Sequence, residues 1–141
     1  MVSCGSYRVI EDWEVPSGYH GWVLVERANP KCPPAVLTFT SVVLKVDSSG
    51  RGCTSTALPK GPQLLRFRGV DAEGARHALL LGRPGVGGQI WGYAPGERSN
   101  EFISIRQAVE FFVGTEAEFR GGQKTRPKWW LEPNRTDSIP K

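Results

Sequence analysis

The stretch "LLRFRGVDAEGARHALLLG", residues 64–82, decides the fold. In its first half Leu65 and Phe67 alternate with arginines, which is the two-residue period of a strand with one apolar face. The tetrapeptide "DAEG" that follows supplies the polar and glycine residues that a tight turn between antiparallel strands requires. The sequence therefore predicts a β-hairpin whose arms are 64–70 and 76–81.

Short β-type segments continue on both sides of this hairpin and are separated by turn residues. Their spacing of about ten residues is typical of all-β domains. The further predicted strands are 7–15, 21–27, 36–46, 53–58 and 89–93. Because 36–46 is the longest apolar run, we expect it to lie at the centre of the sheet.

A glycine-rich segment, "GRPGVGG" at 82–88, follows the hairpin. Gly82 and Gly87 have the spacing of a phosphate-binding P-loop, but Gly88 occupies the position of the lysine that contacts the phosphates. No helix pattern follows directly, so no helix N-terminus would face a phosphate there. We interpret the segment as a tight connection between strands. A binding edge in which Arg83 faces an anion stays open as an alternative.

One segment near the C-terminus has the pattern of a helix. Apolar residues recur at spacings of three and four residues, at Ile105, Ala108, Val109 and Phe112. A serine and a glutamine at the start have the spacing of a capping box, and a glycine stands at the end. The pattern predicts a helix over about 104–114. Such a helix is too short to be stable alone, so we expect it to pack on the sheet.

These elements together predict an α+β fold. We expect a strongly bent antiparallel sheet, or a partly open β-barrel, of six to eight strands with one short C-terminal helix packed on it. We assign 1–119 to a single mostly-β domain and 120–141 to a basic C-terminal arm that carries Trp129 and Trp130. Residues 1–119 have twelve basic and twelve acidic side chains, so the net charge of +4 arises from the arm.

Composition and cysteine usage predict a cytoplasmic protein. No apolar run is long enough to span a membrane, and the first residues lack the pattern of a signal peptide. Cys4, Cys32 and Cys53 are odd in number and widely spaced, which favours free thiols over a disulfide framework. With two histidines in the chain we expect no metal site, and no motif indicates a cofactor. We also expect no membrane partner.

The content of tryptophan and tyrosine predicts a binding function. Five tryptophans are too many for all of them to be fully buried in a chain of 141 residues. Aromatic side chains with a polar atom are common in ligand pockets and at protein interfaces. We expect a small, non-enzymatic binding module, a bacterial accessory protein that holds a protein partner or a small ligand. The predicted contact residues are Tyr19, His20, Trp22, Trp91 and Tyr93. An open sheet edge also leaves a homodimer as an alternative.

Two other functions stay open. A single-stranded nucleic-acid binder would combine an arginine stripe on the hairpin with the basic and aromatic residues of the arm. Its residues are Arg66, Arg68, Arg76, Arg83, Lys124, Arg126, Lys128, Trp129 and Trp130. The other alternative is a small barrel enzyme with an aromatic pocket. The sequence contains no hydrolase or metalloprotease motif, and we assign no catalytic residue.

Overall fold

The computed structural model describes residues 9–61, 63–98 and 105–131. In these ranges the chain forms nine strands, one α-helix and two single-turn 3₁₀ helices. The strands are β1 (Ile10–Pro16), β2 (Gly21–Arg27), β3 (Val36–Leu37), β4 (Ser41–Lys45), β5 (Arg51–Cys53), β6 (Leu64–Val70), β7 (Arg76–Leu79), β8 (Ile90–Arg98) and β9 (Arg106–Val113). The helices are α1 (Glu116–Gly121) and the 3₁₀ turns Gln123–Thr125 and Trp129–Leu131.

The strands form two mixed sheets. The five-stranded sheet has the order β3-β4-β1-β6-β7, and the four-stranded sheet has the order β5-β2-β9-β8. β1 is parallel to both β4 and β6, and β2 is parallel to β5 but antiparallel to β9. The predicted α+β class is confirmed. The described strands do not form one antiparallel sheet, and the barrel in that prediction is not confirmed.

The apolar inner faces of the two sheets pack against each other to form the core. Trp13 and Phe67 of the five-stranded sheet contact Phe111 of the other, with ring centroids 5.5 and 5.0 Å from Phe111. Valines and leucines from both sheets surround these rings. Full burial of one large apolar side chain stabilises a protein by about 1.5–3 kcal/mol, so this aromatic cluster is a main source of stability.

The predicted hairpin is confirmed as β6 and β7. Val70 pairs with Arg76, and the Asp71 side chain accepts hydrogen bonds from the backbone N–H groups of Glu73 and Ala75. Gly74 has a φ of 87°, which a residue with a side chain adopts only under strain. The strand predicted over 21–27 is also confirmed.

The prediction that the apolar run 36–46 forms one central strand is wrong. The run folds into the short strands β3 and β4 around a turn in which the Thr38 backbone N–H donates to the Ser41 carbonyl, at 2.8 Å. β1 is the central strand of its sheet instead. Two further boundaries differ, because 54–58 leaves the sheet after β5 and β8 continues beyond 93.

The helix predicted over 104–114 is wrong within the described residues, because 106–113 forms strand β9. Val109, Phe111 and Val113 belong to the core, whereas Ala108 packs in a second cluster on the outer face of the sheet. A strand buried on both faces has apolar residues at odd and even positions, and such a run also satisfies helical spacing. The α-helix comes one segment later, where Thr115 forms the capping box of α1.

The prediction of free thiols is wrong for two of the three cysteines. Cys32 and Cys53 form a disulfide, with their Cα atoms 5.8 Å apart. The bond fixes the loop after β2 to β5, its parallel neighbour. Cys4 lies outside the described residues.

Candidate ligand groove

The outer face of the five-stranded sheet is a set of closed ion pairs. Asp12 on β1 accepts hydrogen bonds from Arg66 and Arg68, and Arg76 donates to Glu14 at 2.8 Å. Burial raises the pKa of Asp12, but the hydrogen bonds and charges of the two arginines outweigh it and hold the pKa below 3.8. The predicted arginine stripe is therefore largely neutralised by carboxylates of its own sheet.

Arg83 lies in the glycine-rich segment 82–88, whereas five other residues of the same predicted nucleic-acid interface lie in the arm. Its backbone pairs with Gly87 across a tight turn, and the Gly85 N–H donates to Glu116 of α1 at 2.9 Å. The segment connects β7 with β8, as expected. Its observed contacts are structural.

The five predicted aromatic-surface residues do not form one surface. Trp22 and Trp91 pack on Phe119 of α1, and their indole N–H groups donate to the carbonyls of Gly122 and Gly114, at 2.8 and 3.0 Å. These two tryptophans therefore attach α1 to the outer face of the four-stranded sheet.

Of the other three residues, His20 also contacts α1, whereas Tyr19 and Tyr93 pack against the core. Tyr93 is on the inner side of β8, where its hydroxyl donates to Glu11 at 3.3 Å. Tyr19 donates to the Trp22 carbonyl, and His20 bonds Glu118 of α1 at 3.1 Å. A hydrogen bond from the Thr115 backbone, together with the His20 contact, lowers the pKa of Glu118.

The described part of the C-terminal arm, 120–131, lies on the outer face of the four-stranded sheet. Trp129 is buried there against Leu24 and Ala108, and the guanidinium of Arg106 lies 5.7 Å from its ring centroid. The indole of Trp22 also binds the arm at Gly122. The arm is thus held to the sheet at Gly122 and at Trp129.

Between β8 and the arm runs an open groove of about 480 Å³. This volume is within the range of small-molecule sites in proteins. The groove brings together five residues that the sequence predicted for nucleic-acid contact: Lys124, Arg126, Lys128, Trp129 and Trp130. Arg98 also lines it, with its guanidinium 4.5 Å from the ring centroid of Trp130. We call this feature the arm groove.

Glu110 of β9 lines the arm groove and is 2% exposed. Its Oε1 accepts two hydrogen bonds from Arg126, at 2.8 and 2.5 Å. Its Oε2 is buried and has no hydrogen-bond partner among the described residues. Leaving a buried polar atom unpaired costs about 1–3 kcal/mol, and more when the group is charged. A bound water molecule or a ligand would supply a hydrogen-bond donor that no described residue provides.

A second cleft, of about 390 Å³, lies on the inner side of β8. It is lined by Tyr93 and Glu11 together with leucines and prolines. Arg27 donates to Glu11 at 2.9 Å and to the carbonyls of Thr56 and Ala57. Burial and the nearby Glu11 charge raise the pKa of Tyr93, so its hydroxyl keeps its proton. Glu11 and Tyr93 are thus paired within the protein, whereas Glu110 Oε2 has no hydrogen-bond partner among the described residues.

Glu110 was missed in the sequence because the segment was assigned to a helix, where a carboxylate falls on the polar face. In "QAVEFFV" it is the one charged residue within an apolar run. If the run had been interpreted as a buried strand, Glu110 would have been predicted as a buried carboxylate and so as a candidate functional residue.

Across the described residues, no cluster of three His, Cys, Asp or Glu side chains has a metal-binding arrangement. Nor does any described helix have the length and hydropathy to span a membrane.

The chain resembles one solved structure over most of its length. That structure is described as a "Putative Lipoprotein from Bacillus anthracis". The superposition covers 89% of this chain and 81% of the other, with a TM-score of 0.63 and 17% sequence identity. At this identity the likeness shows a shared fold. No family model and no curated protein matches the sequence.

The prediction of a cytoplasmic location is wrong. The Bacillus protein is described as a lipoprotein, which points away from the cytoplasm. The disulfide between Cys32 and Cys53 agrees, because such bonds persist in oxidising compartments and are rare in the cytosol. The prediction rested on the lack of a signal-peptide pattern and of a long apolar run, and the odd cysteine count supported it although Cys32 and Cys53 form a pair.

Proposed function

We propose that this protein is a non-enzymatic binding module that works outside the cytoplasm. Its arm groove would hold a small anionic ligand, or an anionic segment of a partner, that also carries hydroxyl groups. The observation that carries the proposal is the buried Glu110 oxygen, which has no partner in the part of the chain that the structure describes and lies at a groove lined mainly by cations. The disulfide and the description of the structural neighbour support the location.

The charges of the arm groove favour an anion. Lys124 and Lys128 are exposed and form no ion pair with a described residue, and Arg98 lies beside them. Glu97 is the acidic residue at the rim, while Glu110 is compensated by Arg126. The site thus has excess positive charge, which attracts anions and raises their rate of association.

The shape and the remaining polar groups favour hydroxyl groups on the same ligand. A hydroxyl can donate to a carboxylate oxygen, whereas a phosphate or carboxylate without a proton cannot. Trp130, at the mouth, is partly exposed, and an aromatic face of this kind packs against the flat apolar face of a sugar or similar ring. A sugar phosphate or a uronic acid combines both features.

The nucleic-acid alternative has weaker support. Trp129 is buried between the arm and the four-stranded sheet, so it does not offer a free face to a base. Arg66 and Arg68 lie on the other sheet and are paired with Asp12. The two halves of that predicted interface therefore do not share a surface.

The test is a titration followed by tryptophan fluorescence, with Trp130 as the main reporter. Probes are glucose 6-phosphate, glucuronate, glucose, inorganic phosphate and a single-stranded oligonucleotide. We expect the two probes with both an anionic group and hydroxyls to bind most tightly. Substituting Lys124→Gln with Lys128→Gln should weaken them about tenfold or more, because charge-assisted hydrogen bonds contribute about 1.5–3 kcal/mol.

The matched control is Lys45→Gln with Lys60→Gln, which removes two exposed lysines outside the groove. It should leave affinity unchanged. Equal losses in both double variants would mean that net charge alone attracts the probe, and the arm groove would not be the site. Tighter binding of the oligonucleotide than of either sugar acid would favour the alternative instead.

A further inference from the structure

Strand β8 lies at one edge of the four-stranded sheet. Over 94–98 it pairs with β9, and no other described strand pairs with it there. An edge strand directs the N–H and C=O groups of alternate residues outwards, where an incoming strand can pair with them. Pro95 is compatible with this position, because a proline in a central strand would remove a hydrogen bond of the ladder. Within the described chain, one side of β8 is therefore open to a further strand.

The side chains of this stretch alternate between the two faces of the sheet. Pro95 pairs with Val109, which belongs to the core between the sheets. Gly96 pairs with Ala108, which packs on the outer face. Glu97, one residue further, is again on the inner side because successive residues of a strand face opposite sides. A strand added beside β8 would direct its own side chains alternately to the same two sides.

The two clefts reach this stretch from opposite sides. Pro95, Gly96 and Glu97 line the arm groove and also line the cleft of about 390 Å³ on the inner side of β8. We call the second cleft the inner cleft. A strand along β8 would therefore meet the inner cleft with one set of alternate side chains and the arm groove with the other set.

The two clefts differ in charge. The described lining of the inner cleft has two carboxylates, Glu11 and Glu97, and no lysine or arginine. Glu11 is paired with Arg27, whereas Glu97 is exposed and forms no ion pair with a described residue. Leu58 and Leu65 contribute to the apolar walls. The arm groove has the opposite character, because cations exceed carboxylates in its lining.

We propose that the ligand of the arm groove is an extended peptide segment of a partner that pairs with β8. In this segment cationic side chains alternate with anionic or hydroxyl side chains. A lysine suits the inner cleft, because its aliphatic stem packs on apolar walls while its ammonium reaches towards Glu97. Anionic and hydroxyl side chains suit the cations and the second Glu110 oxygen of the arm groove. The inference rests on the proposed function and chooses the partner segment from the two ligand classes given there.

The test is fluorescence anisotropy with two short labelled peptides that have blocked ends and the same composition. In Glu-Lys-Ser-Lys-Glu the acidic and hydroxyl side chains share one face of a strand and the lysines share the other. In Glu-Glu-Ser-Lys-Lys both faces are mixed. We expect the alternating peptide to bind at least about tenfold more tightly, because the mixed peptide places like charges together in both clefts.

Backbone pairing is tested with two N-methylated forms of the alternating peptide. Alternate amides of an edge-paired strand face the sheet, and the remaining amides face away from it. Methylation of the set that faces β8 should abolish binding, whereas methylation of the other set should be tolerated. Equal binding of the two methylated forms overturns the proposal, because strand pairing would then contribute nothing.

Glu97→Gln separates this inference from the proposed function. It should weaken the alternating peptide about fivefold, as expected for one exposed ion pair. It should raise the affinity for glucuronate, because it removes the acidic residue at the rim of the arm groove. Glu73→Gln, in the exposed turn between β6 and β7, is the matched control and should change neither affinity. Thermal unfolding checks that both variants fold.

The outcomes distinguish the two proposals. Equal binding of the alternating and mixed peptides overturns this inference. If glucuronate then still binds, and Lys124→Gln with Lys128→Gln weakens it, the proposed function is unaffected. Absence of binding by glucuronate and by both peptides overturns the inference and the proposed function together.

Discussion

The outer faces of the two sheets each pair a buried carboxylate with arginine, but they do so differently. Each has a nearly fully buried carboxylate, Asp12 on one and Glu110 on the other, and each carboxylate is paired with arginine. Asp12 has two arginine partners from the adjacent strand, which bind both of its oxygens. Among the described residues Glu110 is paired with Arg126 alone, which comes from the arm and binds one oxygen. Asp12 is thus paired through both oxygens, whereas the second Glu110 oxygen keeps its capacity to accept a hydrogen bond.

Removing both arginines from Asp12 should give the largest effect. Arg66→Ala with Arg68→Ala leaves a buried charge without a partner, and breaking such a pair costs about 3–5 kcal/mol. The free energy of unfolding, from urea denaturation, measures the loss. Lys45→Ala, at an exposed position of the same sheet, is the control and should cost less than about 0.5 kcal/mol. A loss below about 1 kcal/mol for the double variant would show that Asp12 is solvated without its arginines.

Removing Arg126 should cost less, about 1–2 kcal/mol by the same urea measurement. Glu110 also loses its ion pair, but the arm groove lets water reach the carboxylate once the guanidinium is gone. The difference between the two sheets therefore depends on access to solvent. If Arg126→Ala destabilises as much as the Arg66 and Arg68 double variant, the groove does not admit water to Glu110 and the comparison fails.

Lowering the pH should have a smaller effect on the free energy of unfolding, because it protonates Asp12. The pKa of Asp12 is lower in the folded protein than its usual 3.8, so its ionised form favours folding. This contribution is complete above about pH 5 and is lost as pH falls through the folded pKa. The difference in unfolding free energy between the wild type and Asp12→Asn should therefore shrink between pH 6 and pH 3. A constant difference would contradict the assigned role of the arginines.

Local features of the fold were predictable from the sequence, and features that depend on distant contacts were not. The hairpin of β6 and β7 was predicted because Asp71 and Gly74 fix its turn within a few residues. β9 was mistaken for a helix because burial on both faces arises from α1, the arm and the opposite sheet, none of which is visible within the segment itself.

The candidate site was predictable in part. The basic and aromatic content of the arm indicated a binding role, and Lys124, Lys128 and Trp130 do line the arm groove. Glu110 and the packing of Trp22 under the arm depend on the path of the chain after α1. Charge and composition give no information on that path. The pairing of Cys32 with Cys53 also required the fold, because parity alone argued against it.

The pairing of β1 and β2 also determines how this chain reaches its native state. Ile10 pairs with Leu64, and Val23 pairs with Phe111, so each of these strands finds its second neighbour only after a long stretch of further chain exists. Domains dominated by such non-local pairings fold slowly, in milliseconds to seconds, because loop closure precedes the stabilising contacts. A chain emerging N-terminus first would leave one edge of β2 unpaired until β9 arrives. Such strands are prone to aggregate, and a chaperone that holds them apart would raise the yield of folded protein.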